Sequence, residues 1–393
     1  MSHPASAFPG AAAPRADDSP GQPYRVMIVD DSAVIRGLVT RSLEADRQVQ
    51  VVASVSDGRM AINALARHDV EVVVLDVEMP VMDGLTALPQ LIAAKPDLKV
   101  IMASTLTRRN ADISLRALRA GAADYLAKPT STGLSNATDF KQELLAKVKA
   151  LGQARRKAAG RPLPAPTQAG ARADQPIRPD ASPRTAATPR PITLRAAALE
   201  PFEALAIGSS TGGPQALFEL LGAIRSTVTR PIFVTQHMPA TFTTILAEHI
   251  ARSTRWPTAE AVDGEPVRPG RVYVAPGDYH MVVDAGKGEK VLHLSRAPAE
   301  NFCRPSVDPM LRSLAQVYGR RLLCVILTGM GSDGRKGGEA VVAAGGSVLA
   351  QDEATSVVWG MPGAVANAGL CSAVLPLAEI GPFICKLAMR SAA

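Results

Sequence analysis

The sequence has no long hydrophobic run. No stretch approaches the roughly eighteen apolar residues that a membrane-crossing helix needs, although hydrophobic residues make up 47% of the 393. Residues Met1 to Gln22 are rich in Ala, Pro, Ser and Asp. They lack a basic start and an apolar core, so they read as a tail and not as a secretory leader. Cysteine is scarce. Cys303, Cys324, Cys371 and Cys385 all lie in the C-terminal half, and none forms a Cys-x-x-Cys pair. That argues against a disulfide framework or a thiolate metal site, and the four are expected to be reduced core residues of a cytoplasmic protein. A basic surface is missing too. Segment 152–195 holds nine Lys or Arg against two Asp, which equals the whole formal net charge of +7. The rest is near neutral, which argues against nucleic acid as a partner.

What is present fits two domains of ordinary size. Residues 24 to 150 alternate apolar runs at Tyr24–Val29, Val49–Val55, Val70–Leu75, Lys99–Ala103 and Asp124–Leu126 with helix-length stretches. The nearly continuous apolar character of 26–29, 72–75 and 100–103 is that of strands covered on both faces. A doubly wound α/β domain with five strands is expected. Segment 152–195 is dominated by Pro, Ala and Arg with no sustained period, and reads as a semi-extended linker. From about 202 a second α/β pattern begins. Its strands are expected at Ala204–Ile207, Ile232–Gln236, Arg271–Ala275, Leu322–Leu327, Ser347–Ala350 and Ala373–Leu375. Helices fit Gly213–Ile224, Phe242–Arg252, Pro309–Tyr318 and Gly337–Ala344, and 262–295 reads as β-rich.

Strand ends carry the polar residues. The first delivers Asp30 and Asp31, the third Asp76, the fourth Ser104, and the fifth is followed by Lys128-Pro129, expected as a cis peptide bond. Clustered carboxylates repel unless a cation sits among them, and a hard divalent ion such as Mg²⁺ wants oxygen ligands. An Asp nucleophile, two metal carboxylates, a hydroxyl and an ammonium make an acyl-phosphate site. Any one of these Asp residues alone would read as a turn residue.

In the second domain, Gly208-Ser209-Ser210-Thr211-Gly212-Gly213 follows a strand and precedes a helix. Gly-x-Ser-x-Gly in that setting is the nucleophile-elbow pattern. A glycine-rich phosphate loop has a similar look, but the lysine and strand-end acid of the common phosphate-binding types are missing. His237 and Asp333 each lie just beyond another apolar strand, and could meet Ser210 as base and orienting acid. Of the other histidines, His280 fits a substrate loop, whereas His249 and His293 sit in ordinary helix and strand contexts. The chain order Ser, His, Asp differs from that of α/β-hydrolases.

Val29-Asp30-Asp31-Ser32, Leu75-Asp76-Val77-Glu78-Met79-Pro80 through Asp83-Gly84, and Lys128-Pro129 closely resemble the response-regulator receiver family. The resemblance implies Asp76 as phospho-acceptor, Asp30, Asp31 and the Glu78 backbone carbonyl around Mg²⁺, and Ser104, Tyr125 and Lys128 as switch residues. Gly208-Ser209-Ser210-Thr211-Gly212-Gly213, Thr235-Gln236-His237-Met238-Pro239, Val274-Ala275-Pro276-Gly277-Asp278-Tyr279-His280 and Leu327-Thr328-Gly329-Met330-Gly331-Ser332-Asp333-Gly334 closely resemble the chemotaxis protein-glutamate methylesterase family, CheB. That resemblance implies Ser210 as nucleophile, His237 as base, Asp333 as acid, and hydrolysis of glutamate γ-methyl esters on chemoreceptor cytoplasmic helices, with deamidation of receptor glutamines. Thr211 and Met330 are candidates near the oxyanion. It further implies a chemotaxis histidine kinase as phosphodonor, and a monomer with no direct membrane insertion is expected. The expected division is a tail over 1–23, a receiver over 24–148, a linker over 149–200 and a catalytic α/β domain with a mostly parallel sheet over 201–393. Two other classes are a receiver joined to a non-catalytic binding module and a transcriptional regulator, but no helix-turn-helix is visible after residue 200.

Overall fold

The computed structural model describes residues 21–105, 107–128, 134–164, 192–196, 201–286 and 288–389. Pro129, with the peptide bond expected to be cis, most of the tail and most of the expected linker lie outside the described residues. In the first half, β1 (Tyr24–Val29), α1 (Ala33–Glu44), β2 (Val49–Val55), α2 (Gly58–Leu65), β3 (Val72–Asp76), α3 (Gly84–Ala94), β4 (Lys99–Ser104), α4 (Arg108–Arg119), β5 (Asp124–Ala127) and α5 (Leu134–Ala158) alternate. The sheet is parallel with order β2-β1-β3-β4-β5. β3, Val-Val-Val-Leu-Asp, is buried throughout, as β-branched residues in a central two-faced strand should be. Ser32, Asp57, Asp83 and Thr107 each accept an amide hydrogen bond from the third helical residue, so the starts of α1 to α4 are written locally.

α5 runs past the expected receiver boundary at 148, to Ala158. Two arginines counted toward a basic linker are therefore receiver residues. Arg155 and Arg156 are each 4% exposed and converge on the fully buried Glu71. Arg156 grips it with Nε on Oε1 and Nη2 on Oε2, both at 2.6 Å. A doubly held carboxylate of this kind satisfies charges that would be costly to bury alone.

The second half contains β6 (Ala204–Ser209), α6 (Gly213–Ile224), β7 (Ile232–Gln236), α7 (Ala240–Thr254), β8 (Thr258–Glu260), β9 (Val272–Val274), β10 (His280–Asp284), β11 (Val291–Ser295), α8 (Val307–Tyr318), β12 (Leu322–Ile326), α9 (Arg335–Ala343), β13 (Ser347–Gln351), α10 (Met361–Asn367), β14 (Ala373–Leu375) and α11 (Leu377–Met389). Its main sheet is parallel with order β14-β13-β12-β6-β7-β9-β8, and β10 and β11 form an antiparallel hairpin. β8, α10 and α11 were not expected. β8 is only three residues long, α10 starts Met-Pro-Gly, and α11 carries Pro382 inside it, so each lacks a clear local signature. The order reverses at β6, whose neighbours are β12 and β7. In such sheets the crevice beyond the strands' carboxyl ends collects ligands. Among the described residues, no helix is long and apolar enough to cross a membrane.

The two halves meet through α4 and β5 on one side and α6 and α7 on the other. Tyr125 stacks on Phe242 with ring centroids 4.4 Å apart and planes at 15°. Gln215 donates to the Leu118 and Ala122 carbonyls at 2.9 and 2.7 Å, closing the end of α4. Asp112 meets the buried His249 at 2.7 Å, and Arg108 meets Glu248 at 2.5 Å. His249 is thus an interface residue, which its helical context did not reveal.

Candidate active site and phospho-acceptor site

Ser210, His237 and Asp333 follow β6, β7 and β12, three adjacent strands of the second sheet. The elbow at Ser210 is fixed from several sides. Its N–H donates to Thr328 O at 3.0 Å, and its carbonyl accepts from Gly213 N at 2.7 Å and Gln236 Nε2 at 2.9 Å. Ser209 Oγ donates to the other end of the same amide, Gln236 Oε1, at 2.7 Å. Gln236 is therefore a positioning residue that sequence reasoning passed over, although it directly precedes His237. Gly212 has φ of 77°, where a side chain would be strained, and starts α6. A Cβ on Gly329 would lie 2.9 Å from Ser210 Cβ, so that glycine lets the β12 loop close on Ser210.

His237 Nε2 is 2.7 Å from Asp333 Oδ2. Asp333 is almost fully buried, and it also accepts from Asn301 Nδ2, Ser306 Oγ and the N–H groups of Val307 and Asp308 at the start of α8. Burial pushes its carboxyl up, but the His237 bond and these donors outweigh that and hold it below the usual carboxylate range. Asp308 lies behind it, bonded to Asn301 and to the Gly334 and Gly337 amides. Burial and the nearby Asp333 charge push the Asp308 carboxyl up.

Asp333 leaves Nδ1 as the ring nitrogen available to a nucleophile. Among the described residues Ser210 Oγ has no hydrogen-bond partner, and Nδ1 instead lies 3.4 Å from Cys303 Sγ. Cys303 was expected in the core; it is instead half-buried beside His237, just beyond the end of β7. His280, expected on a substrate loop, is buried. Its Nδ1 accepts from Ser306 N at 3.2 Å and its Nε2 donates to Pro298 O at 3.1 Å, so it braces that loop. The backbone N–H groups of Thr211 and Met330, one beside Ser210 and one after Gly329, donate to no acceptor among the described residues. Free amides beside a nucleophile are what an oxyanion needs.

Burial disfavours the charged form of His237, but the Asp333 bond and the Cys303 sulfur outweigh it, and the imidazole is pushed up to about 10. A general base must be neutral. Any hydrolysis that uses His237 as its base is therefore expected to climb with pH through the neutral range toward about 10. The stability linkage runs the opposite way. A raised histidine contributes fully below its unfolded value, roughly 6.5, and that contribution is lost as pH rises through about 10. Cys303→Ala should move the rate rise to lower pH, since it removes one of the contacts that hold the proton. A pH profile of kcat/KM checks this. An unmoved midpoint would show that the sulfur has no influence on the base.

In the first domain, Lys128 Nζ lies 2.7 Å from Asp76 Oδ1 and 2.6 Å from Asp30 Oδ2. Asp30, Asp31 and Asp76 present carboxylate oxygens within 4.8 Å of one another. Three hard oxygen donors beside an ammonium fit a divalent ion such as Mg²⁺, which would supply charge neutralisation for an incoming phosphoryl group. Burial pushes the Asp76 carboxyl up, and Lys128 opposes it. The Glu78 side chain is not part of this group. It is exposed, 3.7 Å from Arg109, which leaves its backbone carbonyl as the atom the resemblance offers. Ser104 Oγ is buried and lies 3.0 Å from Ser114 Oγ. Tyr125 is turned away from Asp76, into the stack with Phe242.

The first domain reaches the Ser210 loop itself. Thr211 Oγ1, one residue from Ser210, donates to Asp124 Oδ2 at 2.6 Å. Asp124 neighbours Tyr125 and is also paired with Lys147 at 3.1 Å. The stacked ring and this bond connect the sheet that carries Asp76 to the Ser210 loop.

Comparison with known proteins agrees with both halves. The family model for CheB methylesterase matches residues 205–384, and that for the response regulator receiver domain matches 26–137. A protein-glutamate methylesterase/protein-glutamine glutaminase of Paramagnetospirillum magneticum is 62% identical over 371 residues, covering 93% of this chain and 96% of its own. One from Azospirillum brasilense is 59% identical over 381 residues, covering 95% and 94%. The crystal structure of the Thermotoga maritima CheB methylesterase catalytic domain is 41% identical, covers 47% of this chain and 98% of its own, and superposes with a TM-score of 0.46. The chain belongs to the protein-glutamate methylesterase/protein-glutamine glutaminase family, with a response-regulator receiver domain ahead of its CheB methylesterase domain.

Proposed function

We propose that the chain is a phosphorylation-regulated serine hydrolase that removes methyl groups from glutamate γ-esters of chemoreceptors and deamidates receptor glutamines. The observation that carries this reading is the alignment of Ser210, His237 and Asp333 on three adjacent strands, with two free amides beside the serine. Ser210 Oγ attacks the γ-carbonyl, and its proton passes to His237 Nδ1. The amides of Thr211 and Met330 receive the developing oxyanion. Methanol, or ammonia from a glutamine, leaves with that proton. Water then hydrolyses the acyl-serine to a carboxylate. One site serves both substrates, because both are acyl transfers to the same oxygen. The enzyme works in the cytoplasm on methylated receptor helices, and a histidine kinase of the chemotaxis pathway supplies the phosphoryl group.

Regulation follows from the docked receiver. Asp76 takes the phosphoryl group; Asp30, Asp31, Asp76 and the Glu78 carbonyl would hold Mg²⁺, which would offset the phosphoryl charge. Ser104 and Lys128 move to the phosphoryl oxygens, and Tyr125 turns inward. Turning inward breaks the Phe242 stack and pulls on the Asp124–Thr211 bond, which frees the elbow and lets Ser210 meet His237 Nδ1. The gain is bounded by the difference in docking free energy, on the order of 5–150-fold for ordinary couplings. Methanol release from methylated receptor, with and without acetyl phosphate, tests both parts. The wild type should accelerate, Asp76→Asn should stay slow, and a fragment beginning near residue 199 should be fast without the donor. A fragment no faster than the untreated full chain would show that the receiver does not restrain the esterase.

A further inference from the structure

Between the hairpin β10–β11 and α8, the loop that brings Cys303 to His237 makes a tight two-residue turn. Glu300 and Cys303 pair as an antiparallel bridge, with N–H to carbonyl distances of 3.2 and 2.9 Å. The two residues at the tip, Asn301 and Phe302, have φ of 53° and 62°. Both tip positions of such a turn demand positive φ, and the sequence that suits them is Asn-Gly. Asn301 fits, and its side chain is used, bonded to both Asp308 and Asp333. Phe302 does not fit. A bulky aromatic at positive φ is strained, and this one gains nothing from packing, since it is 102% exposed. Other large apolar side chains at the surface are covered to a greater degree.

The turn is also held firmly. Glu300 is clamped by Arg312 Nη1 and Nη2 at 3.0 and 2.5 Å. Arg304 donates to the Arg296 and Ala297 carbonyls at 3.3 and 3.2 Å, and His280 braces Pro298 from beneath. The adjoining Ala297-Pro298-Ala299 is exposed and apolar, so the aromatic ring stands on an apolar rim. A strained, fully exposed aromatic on a braced turn, one residue from the sulfur that lies against His237, is buried by nothing among the described residues. A protein substrate, unlike a small ester, extends past the scissile bond and can cover it.

Building on the esterase reading, we propose that Phe302 is a substrate-contacting, specificity-determining residue that packs on apolar side chains flanking the esterified glutamate of the receptor helix. The contact lies outside the reacting atoms, so it acts equally on bound substrate and transition state and shows as KM. The docked receiver leaves Phe302 exposed, so the contact is available as soon as the elbow is freed.

Phe302→Gly separates this role from a structural one, because the strain argument and the binding argument predict opposite signs. In the full chain treated with acetyl phosphate, KM for methylated receptor should rise roughly tenfold or more with kcat unchanged. Turnover of an N-capped glutamate γ-methyl ester, too short to reach the turn, should be unaffected. The melting temperature should hold or rise. Phe302→Leu should recover much of the receptor KM. An unchanged receptor KM, or an equal loss on the small ester, would overturn the inference. So would a lowered melting temperature accompanied by losses on both substrates. A wild type that releases methanol from receptor while the variant matches it leaves the esterase reading intact and removes only this contact. A wild type that releases none removes both.

Discussion

Ser210→Ala is expected to lose esterase turnover by roughly 10⁴–10⁶-fold, the scale seen when the nucleophile of a serine hydrolase is deleted. It should do so without unfolding. The Ser210 hydroxyl has no partner among the described residues, so its removal leaves no buried group unsatisfied. The elbow's geometry is held by Thr328, Gly213 and Gln236 through Ser210's backbone, which alanine retains. Stability should change by no more than about 0.5 kcal/mol. Thermal melting together with methanol release from methylated receptor measures both. One result would redirect the mechanism. If a folded Ser210→Ala protein kept substantial activity and lost it on adding Cys303→Ala, the thiol 3.4 Å from His237 Nδ1 would be the nucleophile.

Asp333→Asn should cost about 10⁴-fold in turnover through loss of tautomer control, and here it should also cost stability. The carboxylate receives hydrogen bonds from Asn301, Ser306, and the Val307 and Asp308 amides in addition to His237. An amide presents one NH₂ group into that ring of donors, leaving buried N–H groups opposed, at about 1–3 kcal/mol. Stability and rate should therefore fall together, unlike in the serine variant. Turnover near the wild-type rate would mean that another acid orients His237, and Asp308, which shares Asn301 with Asp333, is the one placed to do so.

Much of this was legible in the sequence because it is locally encoded. Ser210, His237 and Asp333, the candidate triad, sit at ends of unbroken apolar runs, and in a parallel sheet a strand end is a position in space. The helix starts at Ser32, Asp57, Asp83 and Thr107 carry their own caps. What escaped was set by tertiary contact. Cys303 looked like a core cysteine because nothing near it in sequence mentions His237. His280 looked like a loop residue because its partners, Ser306 and Pro298, come later in the chain. Arg155 and Arg156 looked like linker charge because Glu71 lies far earlier. Gly152, which could pass for a helix stop, lies inside α5 against the Tyr24 ring, and the helix runs on to Ala158, so neither composition nor period marked where the receiver ends.

The stack of Tyr125 on Phe242 carries a thermodynamic obligation. A coupling between two binding equilibria has one magnitude, whichever site it is viewed from. If the docked receiver disfavours substrate at Ser210, then substrate at Ser210 disfavours the docked receiver to the same degree. A receptor segment seated on the elbow would release Tyr125 and ready Asp76 for its phosphoryl analogue as surely as the analogue readies the elbow for the receptor. The chain would then respond to the coincidence of signal and substrate, and would be least active where either is scarce.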